Sequence, residues 1–189
     1  MTTDSDRQVN YKQLFKDSIQ KFPNSAKWAC GEFCGIKTVS NTNVGNVGED
    51  FILKYAKQLG FDVKKPENRT SWDIKINGIN YELKTATEDV HCKFQFNHFR
   101  THRAYDAVIC LGVSPNELYF TVLTKMELLD KNLVSMEKGA NASYKWTAAK
   151  KDLIPISIFK EMIEEFTKEF EEGKARQIEN QQRRNKIGS

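Results

Sequence analysis

The sequence predicts an α/β fold in which a helix, a mixed central sheet of about five strands and a second helix form the core, with extra N- and C-terminal helices. Three stretches carry this prediction. Apolar residues recur at helical spacing in 46–59, apolar and polar residues alternate on both sides of Asn77 and Gly78, and residues 107–113 form a continuous apolar run. The first pattern is typical of an amphipathic helix, the second of a β-hairpin and the third of a buried strand.

Length and composition indicate a single globular domain. The chain has 189 residues, of which 39% are hydrophobic, which is enough for one core with added terminal helices. Its apolar runs are shorter than the ~18 residues of a membrane span, and the polar residues 1–10 lack the hydrophobic region of a signal peptide. We therefore expect a cytoplasmic protein with no membrane partner and no organic cofactor. The net charge of +4 permits a polyanionic partner without requiring one.

The four cysteines do not follow the paired spacing of a common zinc motif. We expect free thiols, because a cytosolic chain of this size does not need disulfide bonds for stability. A zinc site remains the alternative, and its ligands would be Cys30, Cys34, His91 and Cys92.

The N-terminal part of the chain is predicted to be helical. Residues 10–22 have apolar residues at helical spacing and end before Pro23, whereas 25–43 suit a short helix or a loop. Residues 46–59 form a helix with Asn46 as its cap. Its apolar face consists of Phe51, Ile52, Leu53, Tyr55, Ala56 and Leu59.

Residues 61–64 suit a short strand. Asn77 and Gly78 predict a two-residue type I′ turn, and this turn sets the register of the strand before it against the strand after it. Residues that face each other across a hairpin share one side of the sheet. One side is apolar and suits a core: Ile74, Ile76, Ile79, Tyr81 and Leu83. The other side is polar and charged: Asp73, Lys75, Asn80, Glu82 and Lys84.

This register places the Asp73 and Glu82 carboxylates directly opposite each other. Like charges in facing positions, with Cβ atoms roughly 4.5–5.5 Å apart, destabilise a hairpin unless something offsets the repulsion. One explanation is a divalent cation between them, with Lys84 directed at whatever the cation binds. The other is a solvated face on which Lys75 and Lys84, each diagonal to one acid, provide the opposite charge. The hairpin alone leaves both explanations open.

Glu49 falls inside the apolar arc of the predicted helix, which is unusual for a carboxylate. It is three residues after Asn46, the spacing of a capping box, and acids are favoured in the first turn of a helix. The functional alternative is that Glu49 is a third acid at the site of Asp73 and Glu82.

The second half of the chain mixes strands and helices. Residues 93–103 combine aromatic with basic and amide side chains and suit a loop that runs into a short helix, whereas 107–113 and 118–124 are strands. We expect a short helix over 126–133 and an exposed basic loop over 139–151.

The C-terminal part is expected to contain a helix and a polar tail. Residues 156–172 have one apolar face and one mainly acidic face, which is typical of a helix that packs on a core. Residues 174–189 are polar and suit a frayed or disordered tail.

Glu49 in a helix, Asp73 on one strand and Glu82-Leu83-Lys84 on the next strand resemble the PD-(D/E)XK nuclease superfamily. This superfamily includes many type II restriction endonucleases and the archaeal Holliday-junction resolvases. The resemblance covers roughly 44–124, and Trp72 stands where the family motif has proline. It implies a restriction-endonuclease-like core over 44–130, an N-terminal helical extension over 1–43, a C-terminal loop and helix over 131–173, and the tail.

The resemblance implies a role for each matching residue. Asp73 and Glu82 would bind Mg²⁺, for which Mn²⁺ substitutes, with the Leu83 carbonyl as a further ligand. Lys84 would orient or help to deprotonate the attacking water. Glu49 would match the acid of the first core helix. Gln95 would match a polar group in the helix after the motif.

The implied function is Mg²⁺-dependent hydrolysis of phosphodiester bonds in double-stranded DNA, most like a type II restriction enzyme acting as a homodimer. The alternatives are a structure-selective nuclease, for junctions or repair, and a non-catalytic DNA-binding subunit with the same fold. Candidate contacts to DNA are Arg69, Lys93, Asn97, Arg100, His102 and Arg103, followed by Lys145, Lys150 and Lys151.

Overall fold

The computed structural model describes residues 27–67 and 70–187. The predicted helix over 10–22 and the candidate DNA contact Arg69 lie outside these ranges. The described part has a mixed α/β fold with a mixed six-stranded central sheet, α-helices against one face of that sheet and a three-stranded sheet against the other.

The central sheet has the strand order β1-β2-β3-β5-β6-β9. Its strands are β1 Val63–Lys64, β2 Ile74–Ile76, β3 Ile79–Thr87, β5 Ala107–Val113, β6 Leu118–Thr124 and β9 Ile154–Pro155. β3 and β5 are parallel, and the other neighbouring strands are antiparallel. The strands predicted over 107–113 and 118–124 are confirmed. The sheet has six strands rather than about five because β9 adds an edge strand beside β6.

The hairpin register predicted from the turn is confirmed. Ile74 pairs with Tyr81 and Ile76 pairs with Ile79. Asn77 and Gly78 have φ values of 48° and 83°, the left-handed conformations that a type I′ turn requires. The predicted apolar side of the hairpin is buried throughout in the main core.

Two helices cover the apolar face of the central sheet. α1 Asn41–Gln58 packs Ile52 and Ala56 into the core, and the C-terminal helix, α3 Phe159–Ile187, contributes Phe159 and Ile163. The short α2 Lys125–Leu129 follows β6 directly. The apolar face predicted for 46–59 is confirmed, because its other members are partly buried against the same core.

The second sheet has the strand order β4-β8-β7 and consists of β4 Lys93–Phe99, β7 Val134–Glu137 and β8 Ser143–Ala149. It packs Phe94, Phe96 and Trp146 against the other face of the central sheet, beside Val108 and Cys110. The expectations of a loop and helix over 93–103 and of an exposed loop over 139–151 were wrong. Both segments alternate buried and exposed residues, and each strand provides half of one buried layer.

Three helix bounds also differ from the expectations. α1 begins at Asn41, five residues before the predicted start, because the Ser40 side chain accepts a hydrogen bond from the Asn43 backbone N–H and caps the helix there. α2 ends at Leu129, short of residue 133. α3 continues to Ile187, so residues 174–187 are helical rather than frayed. In the described part, no helix is both long and apolar enough to span a membrane.

Candidate active site

The site lies where β3 extends beyond the end of its partner strand β2. β2 is paired with β3 only as far as Ile74, so β3 has an open edge from Leu83 onward. The Asp73 carboxylate occupies the next position, and its Oδ2 accepts a hydrogen bond of 2.7 Å from the Leu83 backbone N–H. A side chain therefore takes the place of the missing strand, and the Asp73 carboxylate is fixed beside the backbone of β3.

A cleft of about 610 Å³ opens along this edge, between the start of α1 and β4. Three acids and the lysine expected at the site share it, namely Glu49, Asp73, Glu82 and Lys84. The wall formed by β4 and the residues after it contributes polar and basic side chains, namely Gln95, Asn97, His98, Arg100 and Arg103. The cleft thus has an acidic floor and a basic, amide-rich wall.

Glu82 is only 2% exposed, on the face of β3 that the small sheet covers. Its Oε1 accepts a hydrogen bond of 2.5 Å from the Lys84 ammonium, whereas its Oε2 is buried without a hydrogen-bond partner among the described residues. Burial raises the pKa of the Glu82 carboxyl, and the nearby Asp73 carboxylate raises it further against the opposing effect of Lys84. A buried carboxylate oxygen without a donor is costly, so Glu82 Oε2 is open to a further donor or to a cation.

Glu49 approaches the same site from α1. Gly48, the residue before it, lies so close to β3 that an added Cβ would be 1.8 Å from Thr85 Oγ1. Burial raises the pKa of Glu49, and the Asp73 and Glu82 carboxylates add to the increase. The capping-box explanation for Glu49 was wrong, because Ser40 is the N-cap and Glu49 lies well beyond the first turn.

Of the two lysines in the solvated-face explanation of the hairpin, Lys84 pairs with an acid of the hairpin and Lys75 does not. Lys75 forms no ion pair with an acid of the described residues, and its ammonium is 5.4 Å from the centre of the Trp72 ring. The Lys84 side chain is 18% exposed and pairs with Glu82, whose side chain is 3% exposed. The charged side of the hairpin is therefore mostly covered at the acids, where the small sheet lies over it.

The candidate DNA contacts divide into two groups. Asn97, Arg100 and Arg103 line the cleft, and the Arg100 Nε is buried without a hydrogen-bond partner among the described residues. Lys93 and His102 are exposed outside the cleft. Gln95 also lines it, from a strand rather than from the expected helix, and its Nε2 donates a 3.1 Å hydrogen bond to Asn97 Oδ1.

The three other candidate lysines do not line the cleft. Lys145 is on β8, and Lys150 and Lys151 follow that strand. The Lys150 ammonium is 4.5 Å from the centre of the Tyr119 ring and 3.9 Å from Glu117 Oε2.

Two parts of the cleft were not identified from the sequence. His98 lines it with φ of 59°, in a bulge of β4 whose signal is the pair of apolar residues Phe96 and Phe99 three positions apart. Asn41 and Thr42 belong to the first turn of α1, which places the positive end of the helix dipole at the rim. Ser40 was the signal for that helix start.

The donor set suits a hard divalent cation such as Mg²⁺. Carboxylate oxygens are its preferred protein ligands, and Glu82 Oε2 is a buried oxygen to which no described residue donates a hydrogen bond. Across residues 27–67 and 70–187, no three His, Cys, Asp or Glu side chains form a preassembled metal site, and this includes the alternative cysteine set. At the acidic cleft, the Lys84 ammonium donates to Glu82 Oε1 and the Leu83 N–H donates to Asp73 Oδ2.

The comparisons with known proteins include a structural neighbour. No protein-family model matches the chain, and no curated protein matches it in sequence. Among solved structures, it is similar to the bacterial homing endonuclease I-Ssp6803I, with 14% identity and a TM-score of 0.40. The similarity covers 59% of this chain and 76% of that one.

Proposed function

We propose that this chain is a metal-dependent deoxyribonuclease of the PD-(D/E)XK type. The supporting observation is that Asp73, Glu82, Lys84 and Glu49 all line one cleft, although Asp73 precedes β2, Glu82 and Lys84 are on β3, and Glu49 is on α1. Burial raises the pKa values of Glu49 and Glu82, and repulsion from the neighbouring carboxylates raises them further. A bound cation would relieve that repulsion and would satisfy Glu82 Oε2.

Asp73 and Glu82 would hold Mg²⁺ or Mn²⁺, with the Leu83 carbonyl and Glu49 as further ligands. When bound, the cation neutralises charge on the phosphate and makes water more acidic, which supplies a nucleophile at neutral pH. The remaining steps belong to the protein. Hydrolysis forms one bond from water oxygen to phosphorus and breaks one phosphodiester bond, so negative charge grows on the phosphate oxygens and on the leaving oxygen.

Lys84 is placed to act on that charge. Its ammonium already donates to Glu82 Oε1 from within the cleft and has two further N–H groups available for water and phosphate oxygens. It would orient the attacking water and stabilise the transition state. Arg100 and Arg103, on the opposite wall, would hold the phosphate backbone.

Within this proposal, a type II restriction enzyme is the preferred form. Two-fold-related subunits cut both strands of a symmetric site, so we propose a homodimer on double-stranded DNA. Sedimentation of the chain with and without a palindromic duplex tests this part, and a 1:1 complex of monomer and duplex would contradict it.

The experiment that tests the function compares supercoiled plasmid, linear duplex and a four-way junction with Mg²⁺, Mn²⁺ or EDTA. Discrete plasmid fragments that require the metal support the restriction enzyme, whereas cleavage of junctions alone supports a structure-selective nuclease. Duplex binding with no cleavage of any substrate would contradict the nuclease and support a non-catalytic DNA-binding subunit. The matched variant is Asp73→Asn, which keeps the shape of the side chain and removes its charge.

A further inference from the structure

We infer that β4 and β8 form a β-ribbon that reads bases in the major groove, with Gln95 and Asn97 as the reading side chains. The inference rests on the proposed function and deepens it, because it assigns the sequence preference to one element. It also gives Gln95 a role other than catalysis. β4 is an edge strand of the three-stranded small sheet and pairs with β8, and the two strands on that edge fit the width of the major groove of a DNA duplex.

The ribbon is built with one buried face and one open face. The buried face packs aromatic residues, with the Phe96 and Trp146 rings stacked 5.8 Å apart. On the open face, Gln95 pairs across the strands with Thr147. All outward positions of the two strands are neutral or basic: Lys93, Gln95, Asn97, Lys145, Thr147 and Ala149. This face suits a polyanion that also offers hydrogen-bonding groups.

A bulge interrupts the pairing of β4 with β8 beside the cleft. The pairing of β4 with β8 shifts register between Phe96 and Phe99, and His98 adopts φ of 59° within that interval. Bulges bend a strand and redirect its side chains, and they are frequent beside active sites. Here Asn97 and His98, adjacent residues of a strand, both line the cleft that contains Glu82.

The two amides are coupled to each other. Gln95 Nε2 donates to Asn97 Oδ1 at 3.1 Å, which restricts both side chains. The Gln95 Oε1 acceptor and the Asn97 Nδ2 donors are then left for another partner, since the described residues provide none. An acceptor beside a donor matches the N6–H and N7 groups of adenine, which amide side chains recognise in the major groove. The expected target is therefore an A·T pair close to the cut phosphate.

The test measures sequence preference separately from cleavage. Full-length protein is incubated with a randomised duplex library in EDTA, and bound sequences are compared for wild type, Gln95→Ala, Asn97→Ala and the double variant. The matched control is Gln58→Ala, an exposed amide at the end of α1 that does not line the cleft. We expect wild type and control to select A·T pairs at a fixed position. The double variant should lose about 10-fold or more of that preference while its affinity for random duplex changes less than about 3-fold.

Three outcomes would overturn the inference. One is an equal loss of affinity for all sequences, which would make the amides phosphate contacts. Another is an unchanged preference in the double variant, and the third is no duplex binding by wild type. Failure of the nuclease proposal looks different, because selective binding without cleavage in Mg²⁺ would leave the inference standing. Conversely, cleavage without sequence preference would leave the nuclease standing and reject the inference.

Discussion

Gly48 on α1 and Thr85 on β3 are in such close contact that a Cβ on Gly48 would lie 1.8 Å from Thr85 Oγ1 and 2.9 Å from Thr85 Cβ. Gly48 directly precedes Glu49 in the chain, and Thr85 directly follows Lys84, so both are next to a proposed site residue. The missing side chain at position 48 therefore sets the distance between the helix acid and the strand lysine. This contact is the structural reason that α1 can contribute to the cleft.

Gly48→Ala should displace α1 from β3 and disturb the site. We expect the free energy of unfolding to fall by about 1–3 kcal/mol from overpacking, and DNA cleavage to fall about 10-fold or more because Glu49 moves. Urea unfolding and an initial-rate assay measure the two effects. The matched control is Gly173→Ala in α3, where an added Cβ has nothing within 4 Å. There we expect unchanged cleavage and a gain of up to about 1 kcal/mol. Equal behaviour of the two variants would contradict the packing argument.

Arg100→Ala should weaken DNA binding without a change in sequence preference. Its Nε is buried without a partner among the described residues, in a cleft proposed to bind phosphate. We expect a uniform loss of affinity and a reduction of about one in the slope of log K against log salt. Arg176→Ala on the exposed part of α3 is the control and should leave the slope unchanged. A slope that is the same in wild type and Arg100→Ala would rule out a phosphate contact.

Glu88 provides a pH-dependent stability test away from the proposed site. Burial alone would raise the pKa of this carboxyl, but its ion pair with Lys27, at 2.6 Å, helps to hold the pKa below its ordinary value. A depressed pKa stabilises the fold above the unfolded-state value, about 4.5, and this stabilisation is lost as the pH falls through the lower folded-state pKa.

Glu88→Gln should therefore lower the free energy of unfolding at pH 7 by about 1–3 kcal/mol, and by less at pH 3. Urea unfolding of wild type and variant at both pH values measures the difference. Glu32→Gln, at an exposed carboxylate, is the control and should show little effect at either pH. A difference for Glu88→Gln that grows as the pH falls would have the wrong sign and contradict this account.

The sequence predicted the central hairpin and its register because both depend on local signals. The Asn77 and Gly78 turn fixes which residues pair, and strict alternation fixes which side is buried. The strands β5 and β6 were predicted at their bounds for similar reasons, as a continuous apolar run and an alternating segment. The same register placed three of the candidate site residues on one side of the hairpin, namely Asp73, Glu82 and Lys84. The expectation that Glu49 lies at the same site also depended on α1, whose apolar face was predicted from the helical spacing of its apolar residues.

The small sheet was missed because its strands are stabilised by a distant partner. β4 and β8 are about fifty residues apart, and each buries only alternate side chains. In β4 the bulge at His98 breaks the alternation and resembles the irregularity of a loop. In β8 and just after it, the lysines are typical of an exposed segment, although Trp146 and Ala148 are buried. The position of Gln95 on a strand could not be inferred without that pairing.

Substitution of Lys84 by methionine tests the central claim most directly. The single-turnover rate of duplex cleavage in Mg²⁺ should fall about 100-fold or more for Lys84→Met, while duplex affinity stays within a few-fold of wild type. The control is Lys75→Met, a lysine on the same hairpin whose ammonium lies over the Trp72 ring rather than in the cleft, and it should cleave at the wild-type rate. Thermal unfolding of both variants confirms that they are folded. If folded Lys84→Met cleaves DNA as fast as Lys75→Met, the cleft is not the site of phosphodiester hydrolysis.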